Sequence, residues 1–388
     1  MDALIIWLII TPLFFAFGWF AGRIDIKVLV RQAKQVPQRL FDGIDAMVEN
    51  KTGLARDEIQ QVIDQEPQHI DLQLSLGKLY RKRGENDLAI KLHTKLLKSQ
   101  FVLSDNVKDK IQVELAKDFQ RAGLIDRAEN ILVKLVDSQY YAHQALELLL
   151  LIYQQDKNWT EAINTAKKLA SSDIAFNTEI AQFNCELAQE AIIRSNYDGA
   201  LEFINTALKI NRNCVRANIL LGELYFNQEH NIQAIDAWQL VEKQNYQYIP
   251  FIIQRMFESY QRLDKVKEFL ILLKGYTKLY PENNMYDFTF KTLSYYDTPE
   301  ESIEYLHSLM AVKPSAKIAA LIIDARATEI ATISGKDDAM KIKNLLIKYN
   351  DKNSNYSCGC CNFKSKTFFW QCPACYEWES ISPNNNET

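Results

Sequence analysis

At 388 residues, with 24% charged and 47% hydrophobic side chains, the chain has a globular balance and the length of two or three domains. A net charge of −4 makes its bulk unsuited to holding nucleic acid. Only 12 glycines and 9 prolines occur, so long turn-rich architectures are excluded and a helical protein is expected.

The first element is apolar. Ala3 to Gly22 carries no charged side chain, and a helix of that length spans about 30 Å, the thickness of a bilayer's hydrocarbon core. Trp7 and Trp19 lie towards its two ends, where amphipathic rings prefer the interface. Arg23, Lys27, Arg31, Lys34 and Arg39 follow, while Asp2 is the only charged side chain before the span. The positive-inside rule then puts the N-terminus outside and the rest of the chain in the cytoplasm. The expectation is a single-pass anchor over 1–22 and a basic juxtamembrane segment over 23–35 that contacts anionic headgroups. A cleaved signal peptide is the competing reading, but its basic residues would precede the apolar run. Pro12 is a kink point, and Gly18 and Gly22 have the spacing of a close helix contact.

A repeat occupies the middle. Gly77, Tyr80, Gly84 and Ala89 recur at the same offsets as Ala116, Phe119, Gly123 and Ala128, and again as Gly222, Tyr225 and Ala234. Aligned on the first position, the series is Gly43, Gly77, Ala116, Leu150, Ala188, Gly222, Phe257 and Phe290. Twelve residues after each stand Ala55, Ala89, Ala128, Ala162, Ala200, Ala234, Phe269 and Ser302. The spacing stays close to 34, and the small–aromatic–alanine pattern resembles the tetratricopeptide repeat. Small residues belong where the two helices of a repeat cross, and the aromatic three residues on shares their face. Two steps are longer by about one helical turn, enough to lengthen a helix or a turn without losing the packing face. Pro67, Pro281 and Pro314 fall in inter-repeat turns, where a helix must stop. The fold expected is an all-α tetratricopeptide solenoid over 36–349, with about eight or nine repeats, the last helix being 334–349. Such an array offers a groove for polypeptide segments; the plainer alternative is a spacer. Cys185, Cys214 and His93 fall in helical core register and read as packed side chains.

Near the C-terminus, residues 350–381 contain two C-x2-C pairs, Cys358 with Cys361 and Cys372 with Cys375. Two such pairs can set four thiolates in a tetrahedron around one zinc or one iron ion. Four unrelated reduced cysteines or a disulfide pair are the competing readings, and seven cysteines without a wider framework suit a reducing compartment. Asn362 follows the first pair, where the backbone needs a positive φ. Phe363, Phe368, Phe369, Trp370 and Trp378 are candidates to cover the sulfurs, and Cys360 reads as a free thiol. The tail 382–388 has a disordered composition. The five histidines include no H-E-x-x-H, and no phosphate-binding or nucleophile-elbow motif occurs, so no catalytic residues are assigned and the chain reads as a non-enzyme.

An apolar span, a tetratricopeptide array and a four-cysteine module in that order resemble the lipopolysaccharide assembly protein B family of Gram-negative bacteria. The likeness is carried by GWFAGR at 18–23, LGKLYRKRGENDLAI at 76–90 and the segment from Cys358 to Trp378. It implies a rubredoxin-like module, with iron the family's suggestion, whose ligands map onto Cys358, Cys361, Cys372 and Cys375. Asn362, where glycine is usual, and the additional Cys360 depart from the pattern. The resemblance further implies an inner-membrane adaptor that promotes proteolysis of the lipid A pathway deacetylase by a membrane-bound AAA+ metalloprotease. It also implies a link to an inner-membrane regulator that senses lipopolysaccharide. The alternative is a rubredoxin-like electron-transfer or thiol-redox protein on a helical scaffold.

Overall fold

The computed structural model describes residues 41–43, 45, 46, 49, 51–65, 69–99, 103–170, 176–326, 333–353 and 356–383. The apolar span and its basic flank, Pro67, and the tail beyond 383 lie outside the described residues. Among the described residues no helix is long and apolar enough to cross a membrane. The chain divides into two compact units, 1–152 and 153–388.

The first unit contains α1 (Thr52–Gln65), α2 (Ile70–Lys82), α3 (Asn86–Leu97), α4 (Asp105–Arg121), α5 (Ile125–Leu135) and most of α6 (Ala142–Gln155). The second continues with α7 (Trp159–Ala170), α8 (Asn177–Ile193), α9 (Tyr197–Ile210), α10 (Val215–Asn227) and α11 (Asn231–Asn245). It goes on through α12 (Ile249–Arg262), α13 (Val266–Leu279), α14 (Tyr286–Tyr296), α15 (Pro299–Val312), α16 (Ala316–Arg326) and α17 (Ile333–Asn353). A two-stranded ribbon, β1 (Tyr356–Ser357) and β2 (Lys364–Ser365), opens the C-terminal module. The strands are antiparallel, Tyr356 facing Ser365 and Ser357 facing Lys364. Helix α17 thus runs four residues past the end of the last repeat helix expected from sequence.

The repeat is visible in the backbone. Seven residues after the anchor position of each of six repeats stands a left-handed residue: Gly84, Gly123, Lys157, Ser195, Glu229 and Asp264, with φ between 56° and 81°. The next amide bonds back to the carbonyl of Tyr80, Phe119, Tyr153, Ala191, Tyr225 and Tyr260 in turn, at 2.8–2.9 Å. This six-to-one closure ends the first helix and satisfies carbonyls that would otherwise face nothing. Four repeats use a residue with a Cβ there, at a cost of about 1–2 kcal/mol each, which the packing on either side outweighs.

The longer repeat steps lengthen first helices. α4 and α8 each have 17 residues, against 13 in α2 and α10. Both start eleven residues before their anchors, Ala116 and Ala188, so the added turn lies at the N-terminal end. Pro281 opens a 3-10 turn between α13 and α14, and Pro314 lies between α15 and α16. Helix α15 starts with Pro299 behind a capping box made by Thr298 and Glu301.

Close approach within a repeat follows from complementary sizes. Sixteen residues after the anchor, the second helix presents His93 to Gly77 and Trp238 to Gly222. A Cβ on either glycine would lie 2.2 Å from a ring nitrogen. Where the anchor is Ala116 or Ala188, the residue sixteen later is the smaller Leu132 or Ile204. The Trp238 indole N–H also donates to the Ile219 carbonyl of the first helix, so its polar edge is not stranded.

Gly222→Ala should therefore destabilise the chain by about 1–3 kcal/mol, since overpacking forces the buried indole from its place. Gly275, within α13, has open space where its Cβ would go, so Gly275→Ala should be neutral or stabilising by up to about 1 kcal/mol. Urea unfolding of both variants measures the contrast.

Candidate metal centre and the face it packs on

Two knuckles build the centre, and they are near copies. In the first, the amide of Asn362 donates to the Cys358 carbonyl at 3.0 Å, and the Cys358 amide to the Phe363 carbonyl at 2.9 Å. In the second, Tyr376 donates to Cys372 and Cys372 to Glu377, both at 2.9 Å. Each knuckle turns on a left-handed residue after its second cysteine, Asn362 at φ 58° and Tyr376 at φ 62°. Asn362 meets the expectation from sequence. Tyr376 was not foreseen, because a bulky side chain is a poor left-handed residue and gives no signal. Isolated bridges from Cys358 to Ile381 and from Gln371 to Trp378 tie the knuckles to the closing segment.

The four thiols of Cys358, Cys361, Cys372 and Cys375 lie within 4.8 Å of one another. Cys358 and Cys375 are separated by 3.7 Å between sulfurs, Cys361 and Cys372 by 3.6 Å. A tetrahedron with metal–sulfur bonds of about 2.3 Å has edges of about 3.8 Å. The donor set therefore fits a zinc or iron ion, and all-sulfur ligation suits no hard cation. Burial pushes the Cys358 thiol up, but hydrogen bonds with the Ser380 hydroxyl and with backbone amides of Cys361 and Cys360 outweigh it and hold the thiol at about 6. Cys360 is exposed and outside this cluster.

The module's own core is small. Cys358, Cys372 and Ile381 are its buried centre, with Phe363 and Phe368 packed around them. Phe369 is exposed. Trp370 and Trp378 do not cover the sulfurs as expected. Cys361 stays exposed and Cys375 is only half-buried, while both indoles pack against the repeats.

They do so on α7, α8, α10 and the short turn that leads into α12. Trp378 meets Trp159 and Phe183 edge-on, at centroid distances of 6.1 and 5.9 Å. Trp370 stacks on Tyr248 at 5.0 Å with the planes 3° apart, and Phe368 packs on Phe251 at 4.9 Å. Between the two indoles lies the Arg216 guanidinium, 5.4 Å from the Trp370 ring and 5.9 Å from that of Trp378. Arg216 is only 3% exposed; its Nη1 pairs with Glu186 at 2.8 Å, and its Nη2 donates to Gln189 at 2.8 Å. The Gln182 amide donates to Glu379 of the module at 2.6 Å, and the Gln371 amide to Gln154 at 2.6 Å. Burial pushes the Glu379 carboxyl up, while Gln182 and Arg216 oppose the shift. Burial also pushes Glu179 up, reinforced by the nearby carboxylates Glu377 and Glu379.

Sequence reasoning passed over this face. The missed signal was positional: Gln182, Arg216 and Phe251 each stand six residues before an anchor, Ala188, Gly222 and Phe257. Their chemistry differs, so no residue-type pattern marks the position. Cys185 and Cys214 are buried in the helical core as expected, 3.7 Å apart between sulfurs. His93 is also buried. Its Nδ1 bonds the Asp118 carboxylate, which takes Arg81 as well, and its Nε2 faces Gly77. That group packs two repeats together in the first unit.

No family model matches the chain. It is 28% identical over 394 residues to lipopolysaccharide assembly protein B of Haemophilus influenzae, covering 98% of both chains. It is 26% identical over 380 residues to the Escherichia coli protein of that name, covering 97% of both. The resemblance read from the sequence and these whole-length matches point to the same proteins. Among solved structures, a MamA protein covers 47% of this chain and 94% of its own, at 18% identity and a TM-score of 0.32. The TPR2AB domain of yeast Sti1 covers 57% and 97%, at 12% identity and a TM-score of 0.27. Those superpositions are loose, and the repeat assignment rests on the helix pairs themselves.

Cys372→Ser should release or weaken the metal, because it removes one of four ligands. Cys360→Ser should leave metal content nearly unchanged. Elemental analysis of the two purified variants decides the ligand set, and equal loss in both would refute it.

Proposed function

We propose that this chain acts in lipopolysaccharide assembly, as a non-enzymatic adaptor held at the inner membrane. The observation that carries the reading is the match, end to end, with curated proteins named for that role. The chain's own chemistry agrees with it. Among the described residues, the one cluster of metal-type ligands is all sulfur and is built into a module packed on helices.

In the finer form of the proposal, the adaptor brings the lipid A pathway deacetylase to a membrane-bound AAA+ metalloprotease and answers to a lipopolysaccharide-sensing membrane regulator. The apolar span over 1–22 supplies the tether. Holding a client beside a membrane protease raises its effective concentration without any gain in contact affinity. The metal, zinc or iron, supplies cross-linking of the two knuckles. The surrounding residues do the rest: Ser380 and backbone amides orient Cys358, and Trp370, Trp378 and Glu379 attach the module to the repeats. The electron-transfer alternative has one observation in its favour, the exposure of Cys361. Full function of a zinc-loaded protein would exclude it.

Two measurements test the proposal. A reporter active only in the periplasm, fused after Thr388, should stay silent; strong signal would overturn the orientation. At matched protein level, deletion of residues 1–22 and deletion of residues 351–388 should each lengthen the half-life of the lipid A deacetylase in cells. An unchanged half-life in both would reject the tethered adaptor.

A further inference from the structure

The face that carries the module has the properties of a ligand site. Trp159 and Phe183 form one aromatic wall, Tyr248 and Phe251 the other, and Arg216 lies between them. A buried guanidinium is costly unless its donors are used. Here Nη1 and Nη2 are used, but the Nε of Arg216 is buried and bonds nothing among the described residues. The module brings a carboxylate close, and Gln182 takes it. The present occupant therefore satisfies the aromatic walls and leaves one charged donor unanswered.

That occupant stays in place only while its backbone is held. Trp370 and Trp378 flank the second knuckle, joined by the bridge between Gln371 and Trp378. Their separation across Arg216 is set by the cysteines between them. Without an ion the module has three buried side chains for a core, and a segment of that size does not hold a fold alone. Once the spacing relaxes, the two indoles no longer grip together, and the mutual enhancement of two linked contacts is lost.

From this we infer that the face formed by α8, α10 and α12, with Trp159 of α7 and Tyr248 of the turn before α12, is a binding surface for a partner polypeptide segment carrying an aromatic side chain followed by a carboxylate. The metal-loaded module closes the surface, and loss of the ion opens it. The partner's chemistry is read from the occupant, in which Trp378 and Glu379 supply ring and acid in adjacent positions. A partner free of the knuckle can place its carboxylate on the orphaned Nε of Arg216. This goes beyond the role in lipopolysaccharide assembly and does not rest on it.

The test uses the detergent-solubilised full chain, metal-loaded or chelator-treated, and a fluorescent peptide with the sequence of residues 376–383, YEWESISP. Anisotropy should show saturable binding to the stripped protein and none to the loaded one. Amide exchange in α8 and α10 should rise when the ion is removed and fall again on adding peptide. Arg216→Ala, once stripped, should lose peptide affinity by about tenfold or more, as expected for a stacked and paired guanidinium. A second variant guards against unfolding by the chelator: Trp378→Ala should keep its metal yet bind the peptide. Equal binding to loaded and stripped protein, binding to neither, unchanged exchange on metal loss, or full affinity in stripped Arg216→Ala would each overturn the inference.

Discussion

The rest of the structure depends on how closely the two helices of each repeat approach. Gly77 accepts the His93 ring and Gly222 accepts the Trp238 indole because neither has a Cβ to collide with. Where the anchor is alanine, the facing side chain is a smaller Leu132 or Ile204. Interiors pack at crystal-like density, so at these four crossings a larger facing ring goes with a smaller anchor. With that distance set, first helices fall into register from repeat to repeat. That register brings Gln182, Arg216 and Phe251 onto one surface.

The module exploits this surface with rings rather than charges. Tyr248 stacks on Trp370, and the Trp159, Phe183 and Trp378 rings pack around one point. Such contacts contribute about 0.5–1.5 kcal/mol each beyond burial. Arg216 adds a cation between two indoles, where its pairing with Glu186 keeps it from being a bare buried charge. The four-thiol module and the helices from α7 onward thus form parts of one compact unit, residues 153–388. A ligand lost at Cys372 would be felt on α8 and α10 through Trp370 and Trp378, which lie on either side of the knuckle.

Several features were legible from the sequence because they are local. The clustering of four thiols follows from C-x2-C spacing, since a knuckle closes on its own backbone bonds wherever it sits in the fold. The repeat follows from a period near 34, because each helix pair packs in the same way on the next. The left-handed turn shows only where glycine fills it, at Gly84 and Gly123; Lys157, Ser195, Glu229 and Asp264 adopt the same conformation without announcing it. Tyr376 hides the second knuckle's turn for the same reason, since its neighbours force a conformation that its side chain disfavours.

The sequence by itself determined the helical class, the repeat register, the four clustered thiols and the similarity to lipopolysaccharide assembly protein B. Each is written in short-range spacing or in whole-length similarity. Only the tertiary structure decided where the module's aromatic rings go. Read along the chain, Trp370 and Trp378 flank cysteines and look like their cover. In three dimensions the rings pack against Tyr248, Trp159 and Phe183, which lie between 122 and 219 residues away in sequence. No local pattern records a contact of that range, because burying those rings depends on a surface that exists only once separate repeats have stacked.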